Sequence, residues 1–386
     1  MIAFYVLGDA MRILVVVPHY FGPSHPENNL PEIGSYIEPL GRIAALNEMI
    51  VALHGNFGPN RYTFEGKAIS ADDTAPSRCV DIVIMTMRDH NILPHLGLAP
   101  ATFEIEYVDG KPPWISFHAQ SLLRDRLGSY DFYCCIEDDL IIHDPAFFKK
   151  LTWFQRTFGP RALLAPTRFE LPSTGTPAKV INDMDLPERM ITSFRRPNQP
   201  REIEGVWNGR SQIFHLPSNP HAGSFFLTQE QMAYWVKQPS FDDRDTSFAG
   251  PLESALTLSV GKVFDIYKSA RPDPFFLEIH HFGVRYAAQA TPPGLRRGEP
   301  PLLAIAQNAL RAAIDVNREE TSAAAANGRT DSSFVRLVEQ WVAQGTAVEH
   351  RARIDALTAE LERYRTPRWR RWIRSLMRHA RRLMRF

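Results

Sequence analysis

Residues 132–144 read FYCCIEDDLIIHD: an apolar run, three consecutive carboxylates (Glu137, Asp138 and Asp139), a second apolar run and a polar stop. Side chains alternate along a strand and a buried charge must be compensated, so three acids between two apolar runs do not suit strand interior. They suit a strand end that holds a cation; the plainer alternative is a solvated turn between two strands. A divalent metal accepts such oxygens and, if it keeps open positions, can bridge the phosphates of a nucleotide diphosphate.

Upstream, Arg12 to Val17 is an apolar run closed by Pro18, the pattern of a buried parallel strand. A Gly/Pro/Asn-rich loop follows to about Glu38. Pro39 then fits a first helical turn, apolar residues recur at Leu40, Ile43, Ala44, Ile50 and Val51, and Gly55 supplies a stop. Further strands are expected over Val80 to Met85 and Phe103 to Val108. A helix capped by Ser116 is expected to end at Gly128, and another starts at Asp144 and Pro145 and stops at Gly159. Strands alternating with helices predict an α/β sandwich with a mostly parallel sheet. From about Pro166 to Ala222 the pattern becomes Pro-rich, polar and aromatic, with only short strand candidates, as binding loops do. Order resumes at His221 to Thr228, a helix over Gln229 to Lys237, a helix start near Pro251 and a strand over Lys262 to Tyr267.

The 386 residues allow one large domain or two ordinary ones. No stretch approaches the roughly 20 apolar residues of a membrane span. The opening MIAFYVLGDA lacks the charged start and cleavage site of a secretory signal, and Met11 is an alternative start. Cys79, Cys134 and Cys135 make no metal or disulfide framework, and buried strand positions in a reducing cytosol account for them. The net charge of +1 conceals an asymmetry: residues 365–386 carry nine arginines and no acid, leaving 35 basic against 43 acidic residues in the preceding 364.

YDFYCCIEDDLIIHDPAFF, residues 130–148, resembles the DXD region of glycosyltransferases with the GT-A fold. In that family a hydrophobic strand delivers acids to the metal and nucleotide of a sugar donor. The resemblance covers residues 12 to 290 and implies a GT-A-like (Rossmann-like) αβα sandwich over residues 1–290. It implies that Asp139 is a direct ligand to Mn2+ or Mg2+, with Glu137 the first acid, facing the ribose or a metal-bound water, and Asp138 between them. It also places the loop from Pro18 to Asn29 along the nucleotide, and Arg88, Asp89 and Asn91 could face the base or ribose.

Two later segments fit the same succession. Pro251 fits a first helical position, so Glu253 falls in the first turn, where the helix dipole favours its ionised form. A dipole partner is one reading of Glu253. After Gly223 to Thr228, the resemblance implies another, a catalytic carboxylate that activates the acceptor. In FLEIHHFGVRY, His280 and His281 point to opposite strand faces, so at most one reaches a metal begun by the acids. His281 is the preferred ligand of the two. Lys268, Arg271 and Arg285 are candidates to neutralise a diphosphate, and Trp207, Asn208, His221 and the arginines around Arg195 are candidates for acceptor binding.

Beyond residue 290, residues 291–333 combine linker composition with a helix over Leu302 to Asn317, residues 334–364 form a polar helix, and Pro367 separates a terminal basic helix within 365–386. There Trp369, Trp372, Ile373, Leu376, Met377, Ala380, Leu383 and Met384 recur at helical spacing among arginines, suiting an anionic membrane surface. A docking protein or nucleic acid is the alternative partner, nucleic acid being the least favoured. The expectation is a peripheral enzyme on the cytoplasmic face of the cell membrane, moving a sugar from a nucleotide-diphosphate sugar to a glycan or lipid-linked acceptor in cell-surface polysaccharide or glycolipid synthesis. A metal-dependent nucleotidyltransferase or phosphoryl-transfer enzyme, lacking any GxxxxGK[ST] loop, and a noncatalytic membrane adaptor are the other classes.

Overall fold

The segment Arg12–Pro18 can be buried on both faces because its interior is a continuous apolar run, and it forms the middle strand of a five-stranded sheet in the computed structural model. The structure describes residues 11–22, 39–59, 62–65, 68–71, 79–171, 179–270 and 273–283. The chain divides into two units, Met1–Glu299 and Pro300–Phe386, and the described residues all belong to the first. The expected linker, polar helix and basic terminal helix therefore lie outside the described residues, as do Arg271 and Arg285.

The sheet order is Ser224–Thr228, Phe132–Ile136, Arg12–Pro18, Cys79–Thr86, Glu104–Tyr107. The last four strands are mutually parallel, and Ser224–Thr228 adds an antiparallel edge. Ile13, Val15 and Val17 pack with Leu46, Met49, Ile50 and Leu53 of the helix Pro39–Phe57 and with Phe147 and Phe148 of the helix Phe147–Phe158. Leu14 and Val16, one residue out of phase, pack with Ile115, Ala119 and Leu123 of the helix Ile115–Asp125. Helices thus cover both faces, and each fully buried aliphatic side chain contributes about 1.5–3 kcal/mol to the core. The same alternation sends Cys134 and Cys135 into the two opposite layers.

From Arg12–Pro18 the chain winds through Cys79–Thr86 to Glu104–Tyr107 on one side, then crosses to Phe132–Ile136 on the other. The order reverses between Arg12–Pro18 and Phe132–Ile136, and ligands in open α/β sheets bind at such a reversal, beyond the carboxyl ends of the strands. Glu137, Asp138 and Asp139 follow one of those ends directly. The chain next enters Leu140–Ile141, which joins a second sheet of order Val180–Ile181, Thr167–Glu170, Glu278–His281, Leu140–Ile141. The acids therefore occupy the corner between two sheets.

Several boundaries differ from those expected. Ser116 does not cap its helix: Pro112–Trp114 forms a tight turn leading straight into Ile115, so Ser116 lies buried in the first turn. The helix expected at Asp144 begins at Phe147, with Asp144 holding the entry through Oδ1, which accepts from the Ala146 N–H at 2.8 Å. The strand expected from Lys262 begins at Asp265, because Lys262 and Phe264 still donate to helical carbonyls of Leu258 and Val260. The region from Pro166 to Ala222 is more regular than its composition suggests. It contains Thr167–Glu170 and a hairpin of Glu202–Trp207 with Arg210–His215, turned by Asn208 and Gly209 at φ 49° and 76°. Two positive φ values are what a two-residue hairpin turn of this twist requires, and Asn-Gly is the pair that adopts them most easily. Among the described residues no helix is long and apolar enough to cross a membrane.

Candidate active site

The middle acid is held first. Ile92 N–H donates to Nε2 of His19 at 3.3 Å, which leaves Nδ1–H of the same ring to donate to Asp138 Oδ2 at 2.7 Å. Arg42 holds the other oxygen, Oδ1. Arg42 sits near the start of the helix Pro39–Phe57, where a cation opposes the helix dipole, so its carboxylate partners offset an unfavourable placement. Burial pushes the Asp138 carboxyl up, but Arg42 and His19 outweigh this and hold it below the ordinary carboxylate range. With both oxygens engaged, Asp138 fastens the ends of the two central strands rather than reaching toward a nucleotide. Removing one partner of a buried ion pair costs about 3–5 kcal/mol.

Glu137 and Asp139 flank this post and converge with three groups from elsewhere. Asp139 Oδ2 lies 3.8 Å from His281 Nε2 and 3.5 Å from Arg42. The register that pairs His281 with Leu140 makes this approach, and Phe282 N–H donates to the Asp139 carbonyl at 2.8 Å. Nδ1 of His281 lies 3.0 Å from Oε1 of Glu170, which is completely buried. Burial lowers the His281 imidazole, but the Glu170 hydrogen bond and the charges of Asp139 and Glu137 outweigh it and raise its pKa. His221 presents Nε2 to Glu137 Oε1 at 3.6 Å, and its Nδ1 meets Thr257 Oγ1 at 2.8 Å. Burial and the charges of Arg168 and Lys268 push the His221 imidazole well down, so it is neutral near pH 7.

Glu253 lies in the turn Pro251–Glu253, continued by a π-helical turn, Ser254–Leu258, that carries Thr257. Burial, then the charges of Asp139 and Glu253, push the Glu137 carboxyl up to about 8, against Arg168 and His281. Gly223, at φ 62°, keeps this carboxylate in place: a Cβ there would come within 2.5 Å of Glu137 Oε2.

Glu137, Asp139 and His281 are thus brought together, with Glu253 near enough for its charge to act on Glu137, while His280 is not. It faces the opposite side of its strand, stacked on Phe169 with its Nδ1 3.1 Å from His143 Nε2. Pro18 ends its strand at the same sheet edge and is buried. Arg88 follows the Cys79–Thr86 strand, two strands from the acids, and lies exposed with its guanidinium 4.4 Å over the Tyr107 ring. Asn91 holds its own turn by donating to the carbonyls of Met87 and Arg88, at 3.0 and 2.9 Å. Lys268 is buried and committed to Asp183 Oδ2 and the His221 carbonyl, at 2.6 and 2.8 Å, so it is not placed to neutralise a diphosphate. Trp207 packs on Trp153, Asn208 makes the hairpin turn, and Arg195 donates to the Pro217 carbonyl; of that group only His221 joins the acids. His19, Arg42, Glu170 and Thr257 also belong to the site and were not singled out from the sequence.

The donor set fits a divalent cation. Oδ1 of Asp139 is buried and has no hydrogen-bond partner among the described residues. The 3.8 Å separation of Asp139 Oδ2 and His281 Nε2 is too long for a hydrogen bond and only about half an ångström longer than two donors at about 2.1 Å around one ion require, a gap that a small side-chain rotation closes. A ligating histidine commonly gives its other ring N–H to a carboxylate, the arrangement His281 has with Glu170. The same arrangement sets carboxylates against one another, Asp139 and Glu253 both acting on Glu137.

That crowding has a measurable consequence. Glu137 keeps its proton to about pH 8 when folded, whereas an unfolded glutamate releases it near pH 4.3. Between those values the folded state binds more protons, so stability falls as pH rises. In EDTA, the melting temperature of the wild type is expected to drop between pH 5 and 8.5 more steeply than that of Glu137→Gln. Equal slopes in a pH series of thermal melts would contradict this assignment.

No model of a known protein family matches the chain, and neither does any curated protein.

Proposed function

We propose that the protein is a metal-dependent glycosyltransferase that moves a sugar from a nucleotide-diphosphate sugar to a hydroxyl of a glycan or lipid-linked acceptor. The observation that carries this reading is the convergence of Glu137, Asp139 and His281 at the reversal of strand order, with a buried Asp139 oxygen that has no hydrogen-bond partner among the described residues. In this reading Asp139 and His281 hold Mn2+ or Mg2+, and Glu137 completes the set once it has lost its proton. The cation, when bound, supplies charge stabilisation for the diphosphate that leaves, commonly the larger part of catalysis in such reactions.

The remaining chemistry falls to side chains of the chain itself. Glu253 takes the proton of the acceptor hydroxyl as that oxygen forms its bond to the anomeric carbon and the bond to the diphosphate oxygen breaks, with inversion. Glu170 fixes the His281 ring, and Asp138 with His19 and Arg42 fixes the strand ends from which the acids project. A nucleotidyltransferase could use the same donors; product analysis separates the two, since only sugar transfer releases a nucleoside diphosphate. A thermal-shift panel of nucleotide sugars, each with Mn2+ and with EDTA, tests the reading directly. A stabilisation by one donor class that requires Mn2+ is expected, and none across the panel would count against it.

The proposed place of work is the cytoplasmic face of a membrane, reached through the arginine-rich residues 365–386, which lie outside the described residues. Each arginine near an anionic surface contributes about 1 kcal/mol. Deleting 365–386 is expected to abolish co-sedimentation with anionic vesicles at low salt and to spare transfer to a soluble acceptor. Undiminished vesicle binding by the truncated protein would make a protein partner the target of the tail.

A further inference from the structure

On the far side of the strand Glu278–His281 from the acids, His280 meets two half-exposed groups, Glu48 of the helix Pro39–Phe57 and His143 just after Leu140–Ile141. One ligand atom from each lies within 4.8 Å of the other two. His143 Nε2 is 3.1 Å from His280 Nδ1 and 4.0 Å from Glu48 Oε1. A tetrahedral ion with metal–donor bonds of about 2.0–2.1 Å separates its donors by about 3.3 Å, so only small rotations of two exposed side chains bring all three onto one ion. His280 needs no such adjustment: it is buried and stacked on Phe169 at 5.3 Å and 16°.

We infer that Glu48, His143 and His280 form a second metal site that takes a transition ion of the zinc class. Two imidazoles and one carboxylate suit Zn2+ or Co2+, whereas an all-oxygen set suits Mg2+ or Ca2+. Glu48 and His143 are each 46 % exposed, so a fourth position is open to water. The three ligands come from a helix, the segment between the strand Leu140–Ile141 and the helix Phe147–Phe158, and a strand, and the same first helix and last strand carry Arg42 and His281. An ion there clips together the two elements that frame the acid cluster without touching its donors. The inference is independent of the transferase reading, because it uses none of Glu137, Asp139, Glu253 or His281.

Without an ion, the 3.1 Å contact is simply one imidazole donating to the other, and the two possibilities differ in solution. EDTA-stripped full-length protein is titrated with Co2+, followed by its visible absorption, and then with Zn2+ in competition. Wild type and Asp139→Asn are expected to develop the strong bands of a tetrahedral site and to lose them to one equivalent of Zn2+. His143→Ala is expected to lose the bands and at least tenfold in Zn2+ affinity, with a metal-free melting temperature only slightly lowered, because the side chain is half exposed and gives up its hydrogen bond to His280. Should that variant fold poorly, Glu48→Gln, on the exposed side of its helix, supplies the same comparison. A wild type without tetrahedral bands, or a folded His143→Ala or Glu48→Gln with wild-type Zn2+ affinity, would overturn the site.

Discussion

Asp139→Asn is expected to abolish sugar transfer and the metal dependence of nucleotide diphosphate binding while leaving the fold intact. Asn keeps the shape of the side chain and loses the charge. Asp139 Oδ1, which has no hydrogen-bond partner among the described residues, makes no contact there whose loss would destabilise the core. The folded protein free of metal should lose little stability, because the Arg42 ion pair given up at 3.5 Å is offset by relief of the repulsion between Asp139 and Glu137. Changes to groups that only support a ligand cost about 10–100-fold in metal affinity, so loss of a ligand is expected to exceed about 100-fold. Isothermal titration of a nucleoside diphosphate with Mn2+ and with EDTA reads the effect. If the variant keeps the wild-type difference between the two conditions, the acid cluster is not where the metal and nucleotide meet.

Glu253→Gln is expected to bind donor normally and to turn over about 10²–10⁴-fold more slowly, the usual contribution of a general base. The amide cannot take up the acceptor proton. Its position in the turn Pro251–Glu253 also suits a partner for the helix dipole, and the two roles separate in kinetics. A base affects kcat with donor affinity retained, whereas a dipole partner affects stability with kcat retained. Near-normal turnover in Glu253→Gln would leave only the second role.

The layers of the fold were legible because burial on both faces writes itself as continuous apolar runs. Arg12–Pro18, Cys79–Thr86 and Phe132–Ile136 could be placed within a few residues for that reason. The opposite facing of His280 and His281 followed from strand alternation alone, and the structure sends one to Asp139 and the other to His143. What escaped were the supporting partners fixed by distant pairing. His19 lies 119 positions from Asp138, Arg42 lies 96 from it, and Glu170 lies 111 from His281, so no local pattern marks them. Lys268 misled for a related reason: a lysine in a strand reads as a surface charge until Asp183, 85 positions away, is seen to neutralise it in the interior. The hairpin at Asn208 and Gly209 is different, since an Asn-Gly pair between alternating strands is a local signal and could have been read.

The most direct measurement is anomalous diffraction at the manganese edge from crystals of the full-length protein grown with Mn2+ and a nucleoside diphosphate. The expected result is a peak within bonding distance of Asp139 and His281, with the diphosphate on its open side and Glu253 facing the vacant acceptor position. A diphosphate bound elsewhere, or bound at the sheet edge with no manganese near Asp139, would contradict the proposed function.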